Sequence, residues 1–176
     1  MIVDDDRKHV LVFKRIDQMF KRPWQFPQGG VDAGESPRQT LLRELEEEIG
    51  TCNVEIVGRV AQPIRYVYPP DVVRRLVADG SKLARFRGQE QHWFLVRLRG
   101  GAQEIHFRHE PAEFMDYRWV TPRQAIGLVV AFKREAYRKG LTGLGLLRHT
   151  SVAKKQVVGR KPQKSRLAPN SAKRHA

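Results

Sequence analysis

Three glutamates, Glu44, Glu47 and Glu48, stand at i, i+3 and i+4 in a stretch that reads as helix. That spacing puts all three carboxylates on one helical face, where like charges repel and weaken the helix. A purely structural helix gains nothing from this. Divalent cations reverse the balance, because Mg²⁺ and Mn²⁺ take carboxylate oxygens as ligands. Ions so held neutralise phosphates, lower the pKa of water and steady a leaving oxygen. From the helix alone, a solvated acidic face is an equally open reading. Arg43, adjacent to Glu44 and four residues before Glu47, relieves part of the repulsion in either case. The preceding loop favours the chemical reading, since Gly29, Gly30 and Gly34 let the backbone come close to a ligand. Loop and helix together form G-x5-E-x7-R-E-x-x-E-E-x-G, running through Gly29, Glu35, Arg43, Glu44, Glu47, Glu48 and Gly50.

The elements that must position these residues are legible in outline. Ser36, Pro37 and Gln39 form a capping box with proline at the first helical position, so a helix is expected over Pro37–Ile49. Gly50 suits its left-handed stop. Leu41, Leu42, Leu45 and Ile49 fall within about 100° of arc and make its buried stripe. Strands are expected over residues 10–14, 54–60, 64–68, 91–98, 104–107 and 116–120. Thr121, Pro122 and Gln124 repeat the start signal, and one helix is expected over residues 122–139. Residues 71–88 are ambiguous, and the three glycines between 140 and 145 suggest a linker. Several strands around two good helices argue an α/β or α+β sandwich rather than a doubly wound sheet.

The chain of 176 residues is long enough for one real core, and carries 33 Lys and Arg against 19 Asp and Glu. Its single cysteine, Cys52, excludes an internal disulfide framework and a Cys-rich zinc site, and points to a reducing compartment. Nothing approaches a membrane-spanning apolar run. The start, Met1 to Asp6, is acidic where a signal peptide would be basic and then apolar. A cytoplasmic protein with a polyanionic partner is the expectation. Eight of the basic residues, Lys154, Lys155, Arg160, Lys161, Lys164, Arg166, Lys173 and Arg174, lie in residues 151–176 without any acid. That stretch reads as a disordered tail, either simply solvated or making weak contact with RNA. The folded domain is expected over residues 1–150.

Residues 29–51 resemble the Nudix box, with Thr51 where the box usually has a bulky aliphatic residue. The segments WQFPQGG (24–30), GQEQHWFL (88–95), EFMDYRWV (113–120) and VAFKREAYR (130–138) are similar to those of RNA pyrophosphohydrolases, a group overlapping the bacterial dinucleoside polyphosphate hydrolases. The resemblance spans about residues 8–139. It implies a Nudix α/β/α sandwich with a mixed sheet. The implied reaction is hydrolysis of a phosphoanhydride at the 5′ end of triphosphorylated RNA, releasing pyrophosphate or phosphate. The remaining 5′-monophosphate end marks the transcript for decay. It also implies two or more Mg²⁺ or Mn²⁺ ions. Glu47 and Glu48 are the first ligands, Glu44 a third ligand or the general base, and Arg43 the residue orienting them by salt bridge. Glu113 matches a distal glutamate that reaches the metal, and the Gly29 carbonyl adds a ligand. Lys14, Arg15, Tyr66, Gln89, Phe132 and Lys133 match substrate contacts, with the Phe132 ring stacking on a base and the Lys133 amine meeting phosphate. Relatives usually begin with a full strand, of which Met1 to Val3 match only the end, so a short first strand is expected. A dinucleoside polyphosphate substrate and a silent RNA-binding protein of the same fold are the competing readings. Trp24, Trp93 and Trp119 read as core or cleft wall. His92, His106 and His109 lack metal-site spacing and read as solvated or structural.

Overall fold

The computed structural model describes residues 1–17, 21–107 and 110–148. Residues 151–176, His109 and the end of the expected domain lie outside them. Seven strands and four helices follow in the order β1 (Val10–Arg15), β2 (Trp24–Gln25), α1 (Pro37–Ile49), β3 (Val54–Arg59), β4 (Ile64–Val67), α2 (Pro70–Ala78), β5 (Gly88–Gln91), β6 (Phe94–Leu98), β7 (Phe114–Val120), α3 (Pro122–Leu128) and α4 (Arg134–Gly143). Strands pair antiparallel as β2-β1-β7, β3-β6 and β4-β5.

Residues 1–3 join the first two of these sheets. Ile2 bridges Val96 of β6 in parallel and Val3 bridges Val10 of β1 antiparallel. Val3 N donates to Val96 O at 2.9 Å and Leu11 N to Ile2 O at 3.0 Å. The sheet surface is therefore mixed, with residues 1–3 contributing isolated bridges rather than a strand of their own.

Alternation along β1 builds the sandwich. Val10 and Val12 face a core shared with Ala125, Val129, Ala136, Tyr137 and Leu141 from the α3–α4 side. Leu11 and Phe13 face the opposite core, with Leu45 and Ile49 of α1, Val96 and Phe114. Successive strand residues point to opposite faces, so one alternating run holds helices on both. Each fully buried Leu or Ile contributes about 1.5–3 kcal/mol, which anchors α1 through Leu45 and Ile49. Helix α1 begins with both hydrogen bonds of the Ser36–Gln39 capping box and ends at Gly50 in the left-handed conformation, φ 76°.

Several elements differ from expectation. The run expected as one strand over 91–98 is broken at His92 and Trp93, because β5 pairs with β4 while β6 pairs with β3. Residues 104–107 form no strand. A 3-10 turn occupies Ala102–Glu104, and His106 N then donates to Ile49 O, binding this loop to the end of α1. The helix expected over 122–139 is two. Val129 and Val130 are extended between α3 and a 3-10 turn at Ala131–Lys133, with the Val129 side chain buried in the core. Neither valine favours helix strongly, and the burial of Val129 decides for the break. Gly140 is no linker residue: it lies inside α4, where a Cβ would come 2.4 Å from the Trp93 indole. Trp119 is exposed rather than core.

Candidate active site

The face of α1 that carries the glutamates is not uniform. Leu45 and Ile49 seat the helix so that Glu48 is buried, Glu44 is largely covered and Glu47 stays 53 % exposed. Arg43 organises the outer part. Its Nε donates to Glu35 Oε1 at 2.9 Å, its Nη1 to Glu44 Oε1 at 2.8 Å and Glu47 Oε2 at 3.1 Å, and its Nη2 to Gly30 O at 2.8 Å. The guanidinium holds the Glu35 carboxyl down at about 2, and its own pKa is raised in return. Arg43 thus ties the glycine loop to the acidic face. Glu35, which belongs to the motif by spacing alone, is its principal partner.

Glu48 sits deeper. Gln28 N donates to Glu48 Oε2 at 3.0 Å, while Glu48 Oε1 is buried with no hydrogen-bond partner. Burial, then the Glu113 and Glu44 carboxylates, push the Glu48 carboxyl up to about 10. Glu44 is also raised, chiefly by burial. Glu113 arrives immediately before β7, where it accepts from Arg15 Nη1 and from Gln25 Nε2 at 3.3 Å. Gly29 packs so closely on Glu44 that a Cβ would lie 1.6 Å from the carboxylate carbon. An orphaned buried carboxylate oxygen among further carboxylates is the donor set a hard divalent cation takes. Glu44, Glu48 and Glu113, with Glu47 at the rim, could hold it.

Among the described residues, no three of these glutamates bring ligand atoms within 4.8 Å of one another. Arg43 occupies Glu44 and Glu47, and Arg15 occupies Glu113. The group that does meet that distance is Asp4, Asp6 and His9, in the turn before β1. Its members bond to one another there, with Asp4 accepting from Lys8 N, His9 N and His9 Nδ1.

Two clefts adjoin one another, and only the second is lined by site carboxylates. The first, about 310 Å³, is walled by Tyr66, Tyr68, Phe132 and Lys133; the second, about 620 Å³, contains Glu44, Gly29 and Glu113. Arg15, Gln28 and Gln89 line both. The break after α3 is what delivers Phe132 against the Tyr66 and Tyr68 rings, 5.9 and 6.2 Å away between centroids. Tyr66 OH donates to Gln89 Oε1. Lys133 is buried, with Nζ donating to Gln28 Oε1 at 3.3 Å. Burial, reinforced by Arg15, lowers its pKa to about 8. Lys14 is not brought in: it sits in register between Trp24 and Asp116 and lines neither cleft. Gln28 was not singled out by spacing, yet it links Glu48 to Lys133. Its place in the WQFPQGG segment was the only available signal. Trp93 stacks edge-on against Phe26 and Tyr137, which makes it core, and Trp24 lies beneath the Arg118 guanidinium in the first cleft.

The match to known proteins agrees with this geometry. A family model described as NUDIX domain matches residues 1–140. The chain belongs to the Nudix family. It is a Nudix hydrolase, with the acidic box helix packed on a mixed sheet. The RNA pyrophosphohydrolase of Erythrobacter litoralis is 41 % identical over 132 residues, covering 73 % of this chain and 77 % of that protein. The RNA pyrophosphohydrolase of Saccharophagus degradans is 42 % identical over 147 residues, covering 82 % of each. Among solved structures, the E. coli dihydroneopterin triphosphate pyrophosphohydrolase superposes with a TM-score of 0.58 at 23 % identity, over 78 % of this chain and 88 % of that one. That likeness is one of fold. No helix among the described residues is long and apolar enough to cross a membrane.

Proposed function

We propose that the protein hydrolyses the 5′-terminal phosphoanhydride of triphosphorylated RNA, releasing pyrophosphate or phosphate and leaving a 5′-monophosphate end. The observation that carries this reading is Gln28, whose N donates to Glu48 Oε2 while its Oε1 accepts from the buried Lys133 Nζ, with Arg15 lining the same cleft. Acids for metal and bases for phosphate stand side by side. The RNA pyrophosphohydrolase relatives at 41–42 % identity support RNA as the substrate.

Glu48, Glu44 and Glu113 would hold Mg²⁺ or Mn²⁺, with Glu47 and the Gly29 carbonyl as further ligands. Two or more such ions would supply charge neutralisation of the phosphate chain and a lowered pKa of the attacking water. Arg43 keeps Glu44 and Glu47 oriented. Glu44 either ligates or takes the proton of the water. Arg15 and Lys133 neutralise phosphate oxygens, which a cation does more strongly where solvent is partly excluded. Phe132 stacks on a base, with Tyr66 and Gln89 closing the cleft around it. The reaction belongs in the cytoplasm, where a free Cys52 thiol is at home and transcripts are degraded. The basic stretch at residues 151–176 adds weak attraction for RNA. A dinucleoside polyphosphate is the second reading, favoured by two adjoining clefts of which the second holds Glu44 and Glu113.

The test is product analysis with Mg²⁺, comparing 5′-triphosphorylated RNA with diadenosine tetraphosphate, and Glu47→Gln as control. Conversion of the RNA to a monophosphate end, reduced by orders of magnitude in a folded control, is expected. Far faster cleavage of the dinucleotide supports the second reading. No metal-dependent phosphate release from either substrate refutes both, and leaves a silent RNA-binding protein.

A further inference from the structure

The second cleft contains a feature the proposed reaction does not use. After α2 the chain passes through a 3-10 turn at Lys82–Arg85 and reaches β5 by way of Phe86 and Arg87. Phe86 is 47 % exposed and Leu83 40 % exposed, and both line the second cleft together with Glu44 and Gln89. Single exposed apolar residues are common and carry no meaning alone. Here position and charge add to exposure. The Arg85 guanidinium lies over the Phe86 ring, 5.0 Å from its centroid, and Arg87 is exposed beside it. Glu90, the acid on this rim, is already paired with Arg65.

We infer that Phe86 is a stacking platform for a nucleobase of the substrate, in the cleft that holds Glu44 and Glu113 rather than the one walled by Phe132, with the exposed Arg85 and Arg87 attracting the adjoining phosphates. An open aromatic ring flanked by cations is the combination that holds single-stranded nucleic acid, because every base has a π-face and every nucleotide a charge. The two clefts join through Arg15, Gln28, Leu83 and Gln89, so one substrate lying in both reaches both rings. The base is either one of the RNA chain or the second nucleoside of a dinucleoside polyphosphate. This inference rests on the reading that a nucleotide phosphoanhydride is the substrate.

Two measurements separate the inference from that reading. Binding is followed by fluorescence anisotropy of a 3′-labelled 5′-triphosphorylated RNA with Ca²⁺, and by its displacement with diadenosine tetraphosphate. Turnover is followed with Mg²⁺. Phe86→Ala should weaken Kd by about 5- to 100-fold, the usual effect of losing one stacked base. Phe86→Trp should restore it. Val77→Ala, an exposed apolar change on α2 outside both clefts, should match wild type. Weakening confined to the RNA assigns the base to the RNA chain. Weakening confined to the dinucleotide assigns it to the second nucleoside. A Phe86→Ala protein within twofold of wild type for both ligands overturns the inference, even if turnover proceeds. A wild type that binds through Phe86 but releases no phosphate overturns the proposed reaction and keeps the inference. Absence of binding by the wild type overturns both.

Discussion

Gly29 reports directly on where the Glu44 carboxylate must sit. In Gly29→Ala the new Cβ would lie 1.6 Å from Glu44 Cδ and 1.8 and 2.0 Å from its two oxygens. Ordinary contact starts near 3.4 Å, so the carboxylate must retreat by about 1.8 Å. The retreat is affordable for the fold. The obstructing atoms are the tip of a flexible side chain, and Gly29 is not among the left-handed glycines, so alanine meets no backbone strain. The loss is the 2.8 Å bond from Arg43 Nη1 to Glu44 Oε1. A part-exposed charged hydrogen bond of this kind is worth about 1 kcal/mol, or some 2–4 °C in Tm for a domain of this size. Catalysis is far more sensitive, since misplacing a group by about 1 Å costs on the order of 10²-fold. The expected variant therefore folds, melts a few degrees low and loses about two orders of magnitude in kcat on 5′-triphosphorylated RNA. Gly30→Ala, whose Cβ would meet nothing within 4 Å, should lose far less. Single-turnover hydrolysis and a thermal melt on the same preparations decide the matter. A folded Gly29→Ala protein with kcat within threefold of wild type would show that Glu44 does no work at its present position.

Two further outcomes follow from the carboxylates. With Glu48 held near 10 when no metal is bound, ligation must displace a proton, so Mn²⁺ affinity should climb by up to about tenfold per pH unit below that value. Glu48→Gln should abolish both this dependence and the metal-induced rise in Tm, and a flat wild-type profile over pH 6.5–8.5 would contradict the burial argument. Glu35 behaves in the opposite sense. Its folded pKa is depressed to about 2 from 4.5, so it stabilises the native state above the unfolded value and ceases to do so as pH falls toward 2. The urea-midpoint gap between wild type and Glu35→Gln should therefore be full at pH 7, reduced to less than half by pH 3 and largely gone by pH 2. An equal gap at all three pH values would remove the Arg43 pairing as its cause.

Local signals settled what depends on neighbours along the chain. The capping box at Ser36 and Gln39, the stop at Gly50, the alternation of β1 and the spacing of the box acids all act within a few residues, so α1 and its chemistry were readable from the sequence. The resemblance extended that reading to Glu113, Phe132 and Lys133, residues far from the box in sequence. Tertiary structure decided the rest. Glu47 and Glu48 are adjacent and chemically identical, yet one is exposed and the other buried, because only the docking of Leu45 and Ile49 orients the helix against Gln28 and Glu113. The break at Val129 and Val130 is not a propensity signal strong enough to see beforehand. It follows from the depth of the core beneath Val129, and it carries Phe132 and Lys133 into the cleft. Gly140 looked like flexibility and is a close packing surface for Trp93, a residue 47 positions away. Lys14 and Arg15 differ by one residue, and the register shift between them in the pairing of β1 with β7 accompanies Arg15 turning toward Glu113 while Lys14 stays outside both clefts. Residue type and spacing determine which atoms can do chemistry. Burial, register and long-range packing determine which of them meet, because those depend on contacts that no local window contains.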